Sequence, residues 1–144
     1  MESTNKNELQ NAGKPKNAIS YKEAKALQQE FLTTRANTLN KALNSEHKIK
    51  GQDVRDVTFD LQEIKQYIAY VDAEAKKKGL NGLGLRVYFG AYPKNDTKTK
   101  SPGYSTVFFM PTHQSTSSKG QDQIIADVAG LNKGHLGIPP NDIN

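Results

Sequence analysis

The sequence predicts a single α+β domain, in which a small sheet of three or four strands is packed by two helices. Two segments, residues 21–44 and 61–78, carry apolar side chains at helical spacing. Two others, residues 83–92 and 104–110, have the alternation or the β-branched and aromatic composition of strands. The length of 144 residues is close to the commonest domain size, so one core is expected to hold all four segments.

The first helix is predicted from its N-terminal signal. Ser20 offers a hydroxyl to the first free N–H groups, and Glu23 can reach back to the cap, which is the capping-box pattern. We expect the helix to run from Tyr21 to about Asn44. Its single apolar stripe comprises Ala24, Leu27, Phe31, Leu32, Leu39, Ala42 and Leu43.

The second helix is predicted from Leu61 to Lys78. Asp60 and Glu63 repeat the capping pattern, with Asp60 as the cap. Gly79 provides the left-handed residue that commonly ends a helix, and the following leucine is expected to pack back on it. The buried stripe is expected to comprise Leu61, Ile64, Ile68, Val71 and Ala75.

Two strands are expected to form an antiparallel hairpin with a long polar loop. Residues 83–92 alternate, with the apolar residues Leu83, Leu85, Val87, Phe89 and Ala91 on one face. The partner strand covers residues 104–110, and Pro111 is expected to stop it.

A further short strand is expected at residues 54–59. With the second helix and the strand at 83–92 it would form a right-handed βαβ unit, and the apolar face would then lie beneath the helix. The acidic residues Asp53 and Asp56 flank this strand, and we interpret them as solubilising rather than catalytic.

The two ends of the chain are expected to be less regular. Residues 1–19 contain two large aliphatic residues, Leu9 and the last residue, Ile19. We therefore predict that this segment is a disordered tail and that the domain comprises residues 20–144. Residues 114–121 are predicted to be flexible. From about residue 114 the chain is expected to be irregular, with Leu131, Leu136 and Ile138 available to pin it to the body.

Composition excludes several classes of function. The chain has no cysteine, which rules out disulfides, thiolate catalysis and cysteine zinc sites. The net charge of +5 is spread along the chain, so it does not by itself indicate a nucleic-acid partner. No stretch approaches the roughly 18 apolar residues of a membrane helix, and the N-terminus lacks a secretory pattern. The sequence therefore predicts a soluble, cytoplasmic protein without contact to a membrane.

The candidate binding site is the other face of the hairpin. If Tyr92 lies opposite Tyr104, then Tyr88 lies opposite Phe108 and Arg86 opposite Met110. Such a face is unusually aromatic for a solvent-facing sheet, so something is expected to cover it. The candidates are the 21–44 helix, a protein partner or second copy, and a small ligand whose anionic group meets Arg86.

An enzyme is the alternative interpretation. His47, His113 and His135 are the only histidines, and none stands at a spacing typical of a metal pair, so neither a metal nor another cofactor is predicted. His113, at a strand end, is the candidate general base if it lies near Arg86 and Tyr88. A second alternative is a weak binder of single-stranded nucleic acid, in which Lys94, Lys98 and Lys100 lie beside the aromatic face; we consider nucleic acid an unlikely partner.

Part of the chain resembles a group of small bacterial proteins without an assigned activity. The resemblance rests on Phe59-Asp60-Leu61, on residues 85–93 (LRVYFGAYP) and on residues 104–112 (YSTVFFMPT), and it covers about residues 54–113. It implies a bacterial, cytoplasmic protein and no particular reaction. Taken together, the sequence favours a non-catalytic binding or interaction domain whose site comprises Arg86, Tyr88, Tyr92, Tyr104 and His113.

Overall fold

The computed structural model describes residues 13–115 and 120–144, and it confirms a small α+β domain. The predictions for residues 1–12 and for residues 116–119 lie outside the described residues. In chain order the elements are α1 (Tyr21–Phe31), a π-helical turn (Leu32–Ala36), α2 (Asn37–His47), β1 (Val57–Thr58), α3 (Leu61–Lys77), β2 (Gly84–Ala91), β3 (Ser105–His113), β4 (Gln123–Ile124) and β5 (His135–Leu136).

The first helix begins as its sequence predicts. The Glu23 N–H donates to the Ser20 hydroxyl at 3.1 Å, and the Ser20 N–H donates to the Glu23 carboxylate at 2.7 Å. These hydrogen bonds lower the pKa of Glu23. The helix continues through the π-helical turn to His47, three residues beyond the predicted end, and stops where Lys48 adopts a left-handed φ of 58°.

Both ends of α3 lie close to their predicted positions, but only one is held in the predicted way. Asp60 is the N-cap residue, yet its side chain makes no capping hydrogen bond, so the second capping box is wrong. At the other end Gly79 has a φ of 67°, and the Leu80 N–H donates to the Ala75 carbonyl at 3.0 Å. This is a Schellman stop, and Leu80 packs against the core as expected.

The hairpin has the predicted register. Arg86 lies opposite Met110 and Tyr88 opposite Phe108, and the Tyr92 N–H donates to the Tyr104 carbonyl at 3.0 Å. The expectation that Pro111 stops the strand is wrong, because β3 runs on to His113. In this register the proline nitrogen points away from β2, so its missing N–H removes no bond from the hairpin.

The predicted βαβ unit is wrong. β1 is only two residues long, and it pairs antiparallel with β5, Val57 lying opposite Leu136. This pair forms a separate two-stranded sheet, whereas β2, β3 and β4 form the three-stranded sheet with β3 in the centre. The strand before α3 therefore has its partner near the C-terminus, about 80 residues further along the chain, and not in the strand at residues 83–92.

The core lies between α3 and one end of the three-stranded sheet. Tyr67, Val71 and Ala75 of α3 are buried with Ile125 and Val128. Leu80, Leu85, Phe109 and Leu131 pack against this cluster.

The predicted apolar stripes extend beyond this core. Leu61 and Ile68 of α3 are 65% and 45% exposed, and Val87 and Phe89 of β2 are 53% and 90% exposed. The apolar faces of α3 and β2 are thus covered along only part of their length.

The C-terminal segment closes against the body. Leu131 and Phe109 exchange backbone hydrogen bonds of 2.9 and 3.0 Å. Asp56 accepts from the Asn141 N–H at 2.8 Å and from its side-chain amide at 3.0 Å, and Arg55 binds both carboxylate oxygens of Asp142 at 2.9 and 2.7 Å. The interpretation of Asp56 as merely solubilising is therefore wrong.

Truncating Val71 should cost far more stability than truncating Ile68, although the helical spacing treats the two alike. Val71 is 3% exposed, so Val71→Ala is expected to lower the free energy of unfolding by about 2 kcal/mol. Ile68→Ala deletes one more carbon, yet it should cost about 1 kcal/mol or less because the side chain is already half in water. Urea unfolding measures both; equal losses would contradict the described core.

The Arg55–Asp142 ion pair should make the stability of the protein depend on pH. The hydrogen bond from Arg55 lowers the pKa of Asp142 below its ordinary value. A carboxyl group with a lowered pKa in the folded state stabilises the protein above its unfolded pKa and loses that contribution as the pH falls through the folded pKa. Wild type should therefore have a higher melting temperature than Asp142→Asn at pH 7. The difference should begin to shrink as the pH falls through about 4 and should vanish below the lowered pKa of the folded state. A difference that persisted in acid would contradict the ion pair.

Candidate functional site

The aromatic face predicted from the sequence exists, with its side chains on one side of β2 and β3. We use the name aromatic face for Arg86, Tyr88, Tyr92, Tyr104, Thr106, Phe108 and Met110, which the register and strand alternation place together. The rings of Tyr88 and Phe108 stack with centroids 5.4 Å apart and planes 14° apart. Thr106 is buried, and the other members are partly buried.

Arg86 is already engaged within the protein. One guanidinium nitrogen donates to the Asp122 carbonyl at 3.0 Å, and another lies 3.5 Å from the Tyr88 hydroxyl. The guanidinium therefore ties the chain before β4 to the hairpin. The sequence analysis proposed that Arg86 meets the anionic group of a ligand, but its guanidinium already has partners within the protein.

The segment 130–132 runs beside β3, because Leu131 exchanges backbone hydrogen bonds with Phe109. The residues on either side of Leu131 lie on the aromatic side, and a side chain at Gly130 would meet the Met110 sulfur at 2.6 Å. The Asn132 side-chain oxygen accepts from the Tyr92 hydroxyl at 3.2 Å and approaches the Thr106 hydroxyl at 3.5 Å.

The first helix makes its polar contacts elsewhere. The Asn40 amide oxygen accepts from the Asp53 N–H at 2.7 Å, and the Gln28 amide oxygen accepts from the Ile143 N–H at 2.7 Å. Asp53 in turn accepts from the Ser105 N–H at 2.8 Å and from the Ser105 hydroxyl. Asp53 thus links α2 to the start of β3, and reading it as solubilising was wrong.

An open cleft of about 400 Å³ lies at the Tyr92 end of the aromatic face. One wall comes from the hairpin loop and the other from the chain around β5. The charged and ionisable residues that line it are Lys98, Lys133 and His135, and none of its lining residues is acidic. The complete lining is Tyr92, Lys98, Thr99, Ser101, Lys133, Gly134, His135, Leu136 and Ile138.

Asp96 folds the loop wall of the cleft. Its carboxylate accepts from the Lys98 N–H at 3.3 Å, from the Thr99 N–H at 3.1 Å and from the Thr99 hydroxyl. The Thr99 hydroxyl is the main cause of a lowered pKa of Asp96, and the charge of Lys98 adds to it. Lys98 and Thr99 thus lie on a turn that the Asp96 carboxylate stabilises by accepting hydrogen bonds.

The other wall is fixed by close packing. Lys133 has a left-handed φ of 66°, and a side chain at Gly134 would meet a Phe59 ring carbon at 3.0 Å. The chain then pairs through β5 with β1. Because Asn132 at the start of this wall is held by Tyr92, the aromatic face and the cleft form one continuous surface.

A second cleft, of about 470 Å³, lies beside the π-helical turn. Arg55 is the only charged residue in its lining, and Asp142 neutralises it at 2.7 Å. The lining is otherwise amides, one threonine and two apolar residues: Gln29, Leu32, Thr33, Ala36, Asn37, Asn40 and Gln52. Because its one charged side chain is already paired with Asp142, this cleft offers fewer charged groups to a ligand than the cleft at Tyr92 does.

The histidines do not converge with Arg86. His113 belongs to the odd-numbered residues of β3, which face α3, whereas Arg86 and Tyr88 lie on the opposite face. One ring nitrogen of His113 lies 3.0 Å from the adjacent Gln114 carbonyl. His47 is exposed at the end of α2, and His135 lines the cleft at Tyr92.

Sequence reasoning thus placed Tyr92 in the site and missed most of its surroundings. Lys98 was noted only as part of a basic loop, and nothing local marked Asn132, Lys133 or His135, which come from a segment read as irregular. Within residues 13–115 and 120–144, no three histidine or acidic side chains cluster in a way that would hold a metal ion.

Comparison with known proteins gives no relative from which a site can be transferred. No protein-family model, no curated protein and no solved structure matches the chain. The resemblance to small bacterial proteins therefore stays a prediction. Over the described part of the chain, no helix has the length and apolar character to cross a membrane.

Gly137→Ala should detach the C-terminal segment that carries His135 from the chain around Asp56. The Gly137 N–H donates to the Asp56 carbonyl at 2.9 Å, and an added methyl group would collide with the Asp56 carboxylate. That carboxylate cannot move aside without losing its hydrogen bonds to Asn141. We expect a loss of about 1–3 kcal/mol in urea unfolding.

The matched control is Gly13→Ala, because nothing lies within 4 Å of a methyl group there. This variant should change stability by no more than about 0.5 kcal/mol. Limited proteolysis should cut the C-terminal segment of Gly137→Ala first. Two variants of equal stability would contradict the close approach of Gly137 to Asp56.

Proposed function

We propose that this protein is a non-catalytic binding domain whose ligand is a small organic anion carrying a flat ring. The observation that supports this best is the cleft at Tyr92, where Lys98, Lys133 and His135 line one concavity with no acidic residue among them. Lysine ammonium groups bind phosphate and carboxylate as point charges, and the Thr99 and Ser101 hydroxyls add hydrogen-bond donors.

Tyr92 gives the cleft its preference for a ring. It is partly buried, and its hydroxyl is held by Asn132, so one orientation of the ring is fixed. A flat apolar contact beside cationic groups suits a ligand with an aromatic body and a charged end. In this proposal Arg86 and Tyr88 support the site from within the sheet, and Tyr92 is the member of the predicted set that contacts the ligand.

The alternatives have less support. An enzyme with His113 as general base would need that ring near Arg86 and Tyr88, and strand alternation puts them on opposite faces. A binder of single-stranded nucleic acid would need open rings for the bases, and Tyr88 and Phe108 stack on each other. As part of the same proposal, we infer a bacterial and cytoplasmic setting from the absence of cysteine and the sequence resemblance.

Three probes separate the parts of the proposed recognition: phenyl phosphate, inorganic phosphate and benzyl alcohol. Phenyl phosphate should raise the melting temperature most, because it alone offers both a ring and a charge. Lys98→Gln combined with Lys133→Gln should remove the shift with phenyl phosphate and with phosphate. The affinity for phenyl phosphate, measured by calorimetry, should fall as salt is added, because exposed charges are screened.

Lys65→Gln is the control, since Lys65 is an exposed lysine of α3 outside the cleft. It lowers the net charge without touching the proposed site and should keep the full shift. Tyr92→Leu should lower the affinity for phenyl phosphate more than the affinity for inorganic phosphate. If no probe shifts the melting temperature, or if Lys65→Gln acts like the cleft variants, the proposal is wrong.

A further inference from the structure

The outer edge of β2 is an unprotected sheet edge. Among the described residues no strand pairs with it, and its eight residues face β3 in unbroken register from Gly84 to Ala91. Natural edges are usually blocked by lysine, proline, a bulge or a covering segment. β2 contains no lysine, proline or bulge, and its one charged residue, Arg86, turns toward Asp122 on the aromatic face.

The backbone groups at this edge can be assigned from the ladder. Phe109 exchanges both of its backbone hydrogen bonds with Leu131, on the side of β3 away from β2. Val87 lies directly opposite Phe109, so its N–H and C=O cannot bond there and point out of the free edge. By the two-residue repeat, the same groups of Leu85 and Phe89 also point outward.

Two of these three residues also have apolar side chains that are exposed to solvent. Phe89 is 90% exposed and Val87 is 53% exposed. A fully exposed phenylalanine leaves a large ring in water, and here it stands next to a row of free backbone donors and acceptors.

We propose that a second copy of this chain occupies the edge, with β2 pairing antiparallel to β2 of the other molecule about a two-fold axis. The strand is self-complementary in this arrangement. With the axis at Tyr88, Val87 lies opposite Phe89 of the second copy, and Arg86 lies opposite Gly90. The most exposed apolar residues of each copy cover one another, and no two charges of like sign are opposed.

The pairing joins two three-stranded sheets into one of six strands. One pair of edge strands is small beside the roughly 1,200–2,000 Å² of a stable interface, so we expect a weak dimer with a dissociation constant of about 0.1 mM. Each copy carries a net charge of +5, so added salt should strengthen the dimer. The cleft at Tyr92 should respond to salt in the opposite sense, which separates this inference from the proposed function.

Sedimentation equilibrium of the full chain tests the dimer, from about 10 μM to about 1 mM to bracket a weak association. Wild type should pass from monomer to dimer and stop there. Phe89→Ser should raise the dissociation constant by about tenfold or more, and Val87→Lys, which installs the missing edge protection, should do the same. The control is Leu27→Ser, which removes a 65% exposed leucine from α1 and should leave the dimer intact.

Because the chain has no cysteine, a single Val87→Cys gives a second readout. A short bifunctional maleimide should link two copies through this residue and should not link two copies of Leu27→Cys. Circular dichroism shows whether each variant remains folded. The proposal is overturned if wild type stays monomeric at every concentration, if Leu27→Ser weakens the dimer as much as Phe89→Ser, or if the two cysteine variants link equally.

Discussion

The exchange of backbone hydrogen bonds between Phe109 and Leu131 is the constraint on which the rest of the structure depends. It joins the C-terminal segment to the central strand of the sheet. It also sets the alternation of that segment, so that Leu131 faces the core while Gly130 and Asn132 face the aromatic side. One irregular segment therefore places residues on both sides of the sheet at the outer edge of β3.

The same segment explains why the sheet is covered unevenly. The Tyr67 hydroxyl donates to the Ala129 carbonyl at 2.9 Å, which ties α3 to the chain that follows β4. Burial raises the pKa of Tyr67, so the phenol stays neutral and remains a donor. The core then forms around Leu85 and Phe109, and Phe89, further along β2, lies beyond the reach of the helix. One end of the apolar face is packed, and the other is left for a partner.

Acidic residues contribute to this protein mainly by fixing loops and the tail. Asp53 holds the start of β3, Asp56 holds the chain before the C-terminus, and Asp96 folds the hairpin loop. Each accepts hydrogen bonds from backbone N–H groups, which otherwise would have no partner in these irregular segments. These carboxylates are paired within the protein. The lining of the cleft at Tyr92 therefore consists of basic and uncharged residues, with no acidic one.

The sequence by itself determined the features that depend on near neighbours. The Ser20 cap and the Gly79 stop follow from short patterns, because the interactions that set them lie within a few residues. The hairpin register was assumed from the sequence, and the structure has the assumed pairing. Only the tertiary structure decided that β1 pairs with β5, that Asn132 accepts a hydrogen bond from Tyr92 and that Lys133 and His135 line one cleft with Lys98. Those contacts join residues far apart in the chain, and their energies come from packing and pairing that leave no local periodicity to read.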